Sequence, residues 1–316
     1  MFKINLDRIG CGQKIPMKAL HRIADLSGLD VTADCASESV DGVVLLSSID
    51  RVGRFCNDLG VYCRLAVLHA ASDIIVAGGT PRLASVCVEY GPEFSSTEDF
   101  AALTCYLRQA LKEQGLSLQN LHSVQSEYTY LTISVTGSQR VLQEANGKEG
   151  SIYLSRPIGA SKLLVLKTLD NEDVTTVANE IFEHRFRGTA FANVAATDIT
   201  GFGLAGATFN LCSRLQVSAR LDLTYRHIAA NDVLAVPITC LEAKDLPEKA
   251  DTAKCRKLQI LTRCIEFAGP VLMFAPFHAA SGFEKDFLQT HGWPALQIGE
   301  FYSGLEQSEV TYRWTE

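Results

Sequence analysis

The segment DLGVYCRLAVLHAASDIIVAGGTP (58–81) constrains the fold more than any other part of the chain. Its apolar positions Leu59, Leu65, Ala66, Leu68, Ile74 and Ile75 predict a mostly buried helix, which Gly78-Gly79 and Pro81 stop. A helix with so little polar surface has to be covered by other elements. Those elements are readable on both sides of it. PMKALHRIADLSG (16–28) predicts a helix opened by Pro16 and closed by Gly28. VVLLSS (43–48), LASVCVEY (83–90) and YTYLTISVT (128–136) predict strands. Ser96-Thr97-Glu98-Asp99 is a capping-box-like start for a helix carrying Phe100, Leu103, Leu107 and Leu111 on one face and ending at Gly115.

GSQRVLQEANGKEG (137–150), polar and glycine-containing, is expected to be a domain boundary, dividing the chain into 1–148 and 149–316. A second alternation follows. Strands are expected at 151–159 and 161–167, helices at 172–184 and 202–215, strands at 217–223 and 271–276, and a helix near 283–288. The charged stretch 244–258 is expected to be a solvated loop.

Composition narrows the function. With 29 Lys and Arg against 36 Asp and Glu, the net charge is −7, which argues against a basic face for nucleic acid. Hydrophobic residues make up 47%, ample for a core. Uninterrupted apolar runs stop short of the roughly 20 residues of a membrane span. The first ten residues lack the continuous apolar segment of a secretory signal, so a cytoplasmic location is expected. Ten cysteines without a C-x-x-C pair suit neither a zinc knuckle nor a disulfide scaffold. Most of them, Cys87 and Cys105 included, occupy positions where a small buried apolar residue would serve.

Two features could carry chemistry. In Gly10-Cys11-Gly12-Gln13-Lys14 a thiol lies between glycines and near a lysine, just ahead of a helix, a setting for a soft nucleophile and an anion contact. A turn with a chance cysteine is the plainer alternative. Asp34, Asp50, Asp73 and Asp198 sit at element ends or in apolar context, where an unpaired carboxylate is costly. Hard oxygen donors from separate segments suit Mg²⁺. Each aspartate also admits a cap or turn role, Asp198 as a helix N-cap. His69, beside the Asp73 segment, and the tryptophans Trp293 and Trp314 read as packing residues.

The strings GCGQKI (10–15), HAASDIIVAGGTP (69–81) and FANVAATDITGFGL (191–204) occur in the order and at roughly the spacing found in selenophosphate synthetases (selenide, water dikinases), which the chain resembles. Weaker likeness extends over most of residues 8–276. The resemblance implies an α+β, two-domain aminoimidazole ribonucleotide synthetase-like fold, with mainly antiparallel sheets backed by helices and dimerisation through the N-terminal sheets. It implies ATP and selenide as substrates, Mg²⁺ held by Asp34, Asp50, Asp73 and Asp198, and Lys14 and Cys11 as catalytic residues on an N-terminal segment. Asn120-Leu121-His122-Ser123 stands where the family has G-G-H-S, so His122 and Ser123 are further nucleotide-contact candidates. Cys264-Ile265-Glu266-Phe267-Ala268-Gly269-Pro270 stands where the family has D-P-Q-T-S-G-G, marking a divergent member.

Overall fold

The computed structural model describes residues 14–28, 34–139, 147–187, 193–235, 241–244, 246–249, 253–303 and 308–315. Among these, α1 (Met17–Ser27) is followed by β1 (Ala36–Val40), β2 (Val43–Gly53), α2 (Leu59–Val76), β3 (Thr80–Tyr90), α3 (Thr97–Glu113), β4 (Ser117–Gln125) and β5 (Tyr130–Gln139). Then come β6 (Gly150–Leu154), α4 (Ala160–Leu169), α5 (Thr175–Glu183), β7 (Ala195–Asp198), α6 (Gly203–Leu215) and β8 (Val217–Leu223). The described chain closes with α7 (Asp232–Ala235), α8 (Arg256–Arg263), β9 (Val271–Pro276), α9 (Phe277–His291), β10 (Leu296–Ser303) and β11 (Val310–Trp314).

The strands form two sheets, ordered β1-β2-β5-β3-β4 and β11-β8-β10-β6-β9-β7. Among the described strands only the β3–β4 and β11–β8 pairs are parallel, so both sheets are mainly antiparallel, as the family resemblance implies. In the first sheet β2 alternates strictly, Val44, Leu46, Ser48 and Asp50 facing inward while Val43, Leu45 and Ile49 are exposed. The inward side is covered by α2. Asp58 caps that helix, its Oδ1 accepting from the Val61 N–H at 2.9 Å, and Tyr62 in its first turn donates to the Val52 carbonyl at 2.8 Å. The helix has the length and apolarity of a membrane span, yet 72% of it is buried in the fold. Phe55 stacks on Phe267 with centroids 4.6 Å apart, which ties the end of β2 to the segment before β9.

Several expectations need correction. Residues 161–167 form α4 rather than a strand. Gly159, at φ 106°, turns the chain, and Glu266 accepts hydrogen bonds from the first amides of the helix. Asp198 ends β7 and does not cap α6, whose N-cap is Phe202. Cys105 is exposed on α3, whereas Cys56, Cys63, Cys212 and Cys264 are buried. Part of the charged segment is helical, since α8 begins at Arg256. The capping box before α3 is present as read, with Ser96 and Asp99 bonding each other's backbone amides.

Candidate active site

Three segments converge beside α2. Asp73 lies in the last turn of α2, Asp198 at the end of β7 and Asp34 just before β1. One carboxylate oxygen from each lies within 4.8 Å of the others. Neighbouring side chains hold the acids in place. Thr197 Oγ1 donates to Asp34 Oδ1 at 2.6 Å, and Arg214 Nη1 stands 3.8 Å from Asp34 Oδ2. Ser72 Oγ donates to Asp198 Oδ2. Burial, followed by the charge of Asp198, raises Asp34 to about 7. Burial, followed by the other acids, pushes Asp73 well above the usual carboxylate range, and burial also raises Asp198.

Lys14 faces this group. Its charge favours ionisation of all four aspartates, and its Nζ lies 5.7 Å from the centroid of the Phe202 ring. Lys14, Asp34, Asp73, Asp198, Thr200 and Asn210 line one cleft of about 320 Å³. Among the described residues, Asn210 Oδ1 is buried there without a hydrogen-bond partner. The turn entering α6 needs Gly203. Its φ is 62°, and a β-carbon there would come within 2.7 Å of the Thr262 carbonyl oxygen.

Asp50 lies on the inward face of β2, held differently from the other three acids. His69 Nδ1 accepts from the Ala268 N–H at 3.2 Å, so the neutral ring carries its proton on Nε2, 3.4 Å from Asp50 Oδ1. Burial opposes the charge on Asp50, but the His69 N–H turned toward it, the charge of Lys14 and a hydrogen bond with Asp73 favour the ionised form and hold this acid below the usual carboxylate range. His69 is therefore more than packing. It joins β2 to the segment preceding β9.

His122 and Ser123 are not brought to the cleft. Both are exposed on the edge strand β4, in register with Cys87 and Val88 of β3. His122 shares its row with Cys87, Thr132 and Arg51 on the open face of the sheet, opposite the side to which Asp50 points. The intervening strands add three spacings, about 14 Å. Cys11 lies outside the described residues. Sequence reasoning overlooked Thr197, Arg214, Ser72 and Asn210. Thr197 and Ser72 adjoin Asp198 and Asp73 in the sequence, which was the available signal, whereas Arg214 and Asn210 reach the cleft only through the packing of α6.

No family model matches the chain. The selenide, water dikinase of Shewanella sp. (strain MR-4) is 30% identical over 238 residues, covering 68% of this chain and 67% of that protein. Among solved structures, a protein of Thermus thermophilus matches with a TM-score of 0.70 at 15% identity, covering 95% of this chain and 97% of its own. Thiamine monophosphate kinase from Aquifex aeolicus matches with a TM-score of 0.63 at 16% identity, covering 95% and 98%. These structural likenesses show the aminoimidazole ribonucleotide synthetase-like fold. With the sequence match covering two thirds of the chain, the protein belongs to the selenide, water dikinase family.

Proposed function

We propose that the chain transfers phosphoryl from ATP to selenide, converting ATP, selenide and water to selenophosphate, AMP and orthophosphate. The observation that carries this reading is the cleft that sets Lys14 against Asp34, Asp73 and Asp198. The family relatives named selenide, water dikinase support the choice of acceptor.

The donor set fits Mg²⁺. Three hard carboxylates that repel one another, in a cleft shared with an amide oxygen that has no partner among the described residues, are poorly satisfied alone and well satisfied by a hard divalent cation. Asp34, Asp73 and Asp198 would hold it, with Asp50 oriented by His69. When bound, Mg²⁺ supplies charge neutralisation for the triphosphate. Lys14 then contacts the charge developing on the transferred phosphoryl group, while Phe202 limits where its ammonium can go. Thr197, Arg214 and Ser72 fix the acids that would otherwise swing apart. Cys11 takes the soft selenium partner, as the family resemblance implies.

An anaerobic phosphorus NMR time course with ATP, Mg²⁺ and selenide tests this, beside a Cys11→Ser sample and a sample without selenide. Selenide-dependent selenophosphate with matching AMP and orthophosphate is expected. Persistent ATP, with nucleotide binding still measurable by calorimetry, would overturn turnover. It would favour instead a nucleotide-binding regulatory paralogue, a reading motivated by the replaced D-P-Q-T-S-G-G string.

The open face of the first sheet, where Val43, Leu45, Ile49 and Leu83 are exposed, supports a homodimer formed through it. Sedimentation of an Ile49→Lys variant as a monomer, against a wild-type dimer, is the expected result. A monomeric wild type would remove the proposal.

A further inference from the structure

Ala268 is bent into a conformation that alanine seldom adopts. Its φ is 52°, in the left-handed region, and it is buried in the segment between Glu266 and β9. A residue with a side chain keeps that shape only where its surroundings impose it. Two side chains do so here, one on each peptide flanking its α-carbon. The Ala268 N–H donates to His69 Nδ1 at 3.2 Å, and its carbonyl accepts from Arg156 Nη2 at 2.6 Å. Neither peptide can turn without giving up a buried hydrogen bond. The next residue adds no slack, because a β-carbon on Gly269 would fall on the Ile199 carbonyl oxygen.

Arg156 is placed to supply one of these bonds. It is only 6% exposed, burial works against its charge, and Glu266 beside it works in favour. The residue before it is pinned from three directions. The Ser155 N–H donates to the Val271 carbonyl at 2.9 Å, its hydroxyl accepts from the Val271 N–H at 2.9 Å, and its carbonyl accepts from the Trp293 indole N–H at 2.9 Å. The guanidinium therefore reaches Ala268 from a fixed base in the turn between β6 and α4.

The bonds continue to the acids. Because the Ala268 N–H occupies Nδ1, the neutral His69 ring carries its proton on Nε2, 3.4 Å from Asp50 Oδ1. Asp50 in turn shares a hydrogen bond with Asp73. Arg156 itself does not line the acidic cleft. We infer that Arg156 is a positioning residue for that cleft, acting through the Ala268 peptides to fix which nitrogen of His69 is turned toward Asp50. The consequence for Mg²⁺ rests on the function proposed above. The relay itself rests on Ala268 and its two partners.

The test uses two readouts, the first on metal-free protein. Nitrogen NMR of protein labelled with ¹⁵N-histidine reports the tautomer of His69, whose resonances among the seven histidines are assigned by their loss in His69→Gln. Calorimetry then measures Mg²⁺ affinity in the presence of a non-hydrolysable ATP analogue. The expected result is a wild type with the His69 proton on Nε2 alone and an Arg156→Gln protein with both tautomers present. With it comes a fall of about tenfold in Mg²⁺ affinity, while affinity for the analogue at saturating Mg²⁺ stays within about twofold. Both tautomers in Arg156→Gln, in a protein whose wild type binds no Mg²⁺, would keep the relay and remove the metal reading of the acids. A folded Arg156→Gln protein that melts at a lower temperature but keeps the wild-type tautomer would overturn the inference, since Arg156 would then serve the fold alone. A wild-type His69 with its proton on Nδ1 would overturn it too, even if Arg156→Gln fails to fold.

Discussion

The acids of the cleft and Glu266 are both buried carboxylate groupings, and they are treated in opposite ways. Glu266 is fully buried, yet it accepts from the Gly159 N–H, the Ser161 N–H and the Ser161 hydroxyl, the last two at 3.1 and 2.7 Å. It sits at the positive end of α4, where a negative charge is favoured. The cleft acids instead face one another, and burial and mutual repulsion raise Asp34, Asp73 and Asp198. Donors from Thr197 and Ser72 fix their positions without neutralising them. The contrast teaches that burial alone does not mark a functional acid. What marks one is charge that the fold positions and leaves uncompensated.

The largest effect should come from removing that charge while keeping its shape. Asp73→Asn is expected to cut Mg²⁺-dependent ATP turnover by about 10²–10³-fold or more. The same change should not lower the melting temperature of the metal-free protein, and it should abolish stabilisation by added Mg²⁺. Turnover near wild type would remove Asp73 from the metal set. Glu266→Ala should do the reverse. It leaves the donors of Gly159 and Ser161 unpaired inside the fold and is expected to cost about 3–5 kcal/mol in denaturant unfolding. A loss below about 1 kcal/mol would show that water replaces the carboxylate and that the contrast is false.

The two groupings also differ in how far they can be read from the chain. Asp73 stands out because an acid inside an apolar helix is conspicuous, and α2 itself is well punctuated by the cap at Asp58 and by Gly78-Gly79. Bringing Asp34 and Asp198 to it took the family strings, since nothing local says that β7 ends beside α2. Glu266 was invisible. Its partners are 105 and 107 residues away, and they also explain why SKLLVLK is α4 rather than a strand. An apolar run of that length has no decisive period, and the helix is selected by a glycine at positive φ together with a distant carboxylate on its first amides. The strands β1 and β4 escaped for a different reason. Nearly all their residues are exposed, so no burial pattern is written into them.

Acid titration separates the groupings further. A folded Asp34 near 7 binds its proton more tightly than the unfolded chain, whose carboxylate titrates near 3.8. Its contribution to stability is therefore complete below about 4 and is lost as the pH rises through about 7. In chelator, unfolding free energy should fall over that window, by on the order of 4 kcal/mol. Saturating Mg²⁺ should flatten the slope, because the cation replaces the proton. A metal-free protein whose stability rises over the same window would show that the acids are paired by something other than protons.

Glu266→Gln is the smallest and most discriminating change. Glutamine keeps an oxygen to accept from α4 and loses only the charge at its N-terminus, an effect of about 1 kcal/mol. If Glu266 is purely structural, this variant should retain Mg²⁺-dependent turnover within about twofold and show the same dependence of stability on pH as the wild type. Loss of turnover in a folded Glu266→Gln protein would mean that the charge is felt at the cleft, through the hydrogen bond that Ala268 donates to His69 and the contact of His69 with Asp50. The two groupings would then be parts of one electrostatic unit, and the carboxylate that seats α4 would also tune the acid on β2.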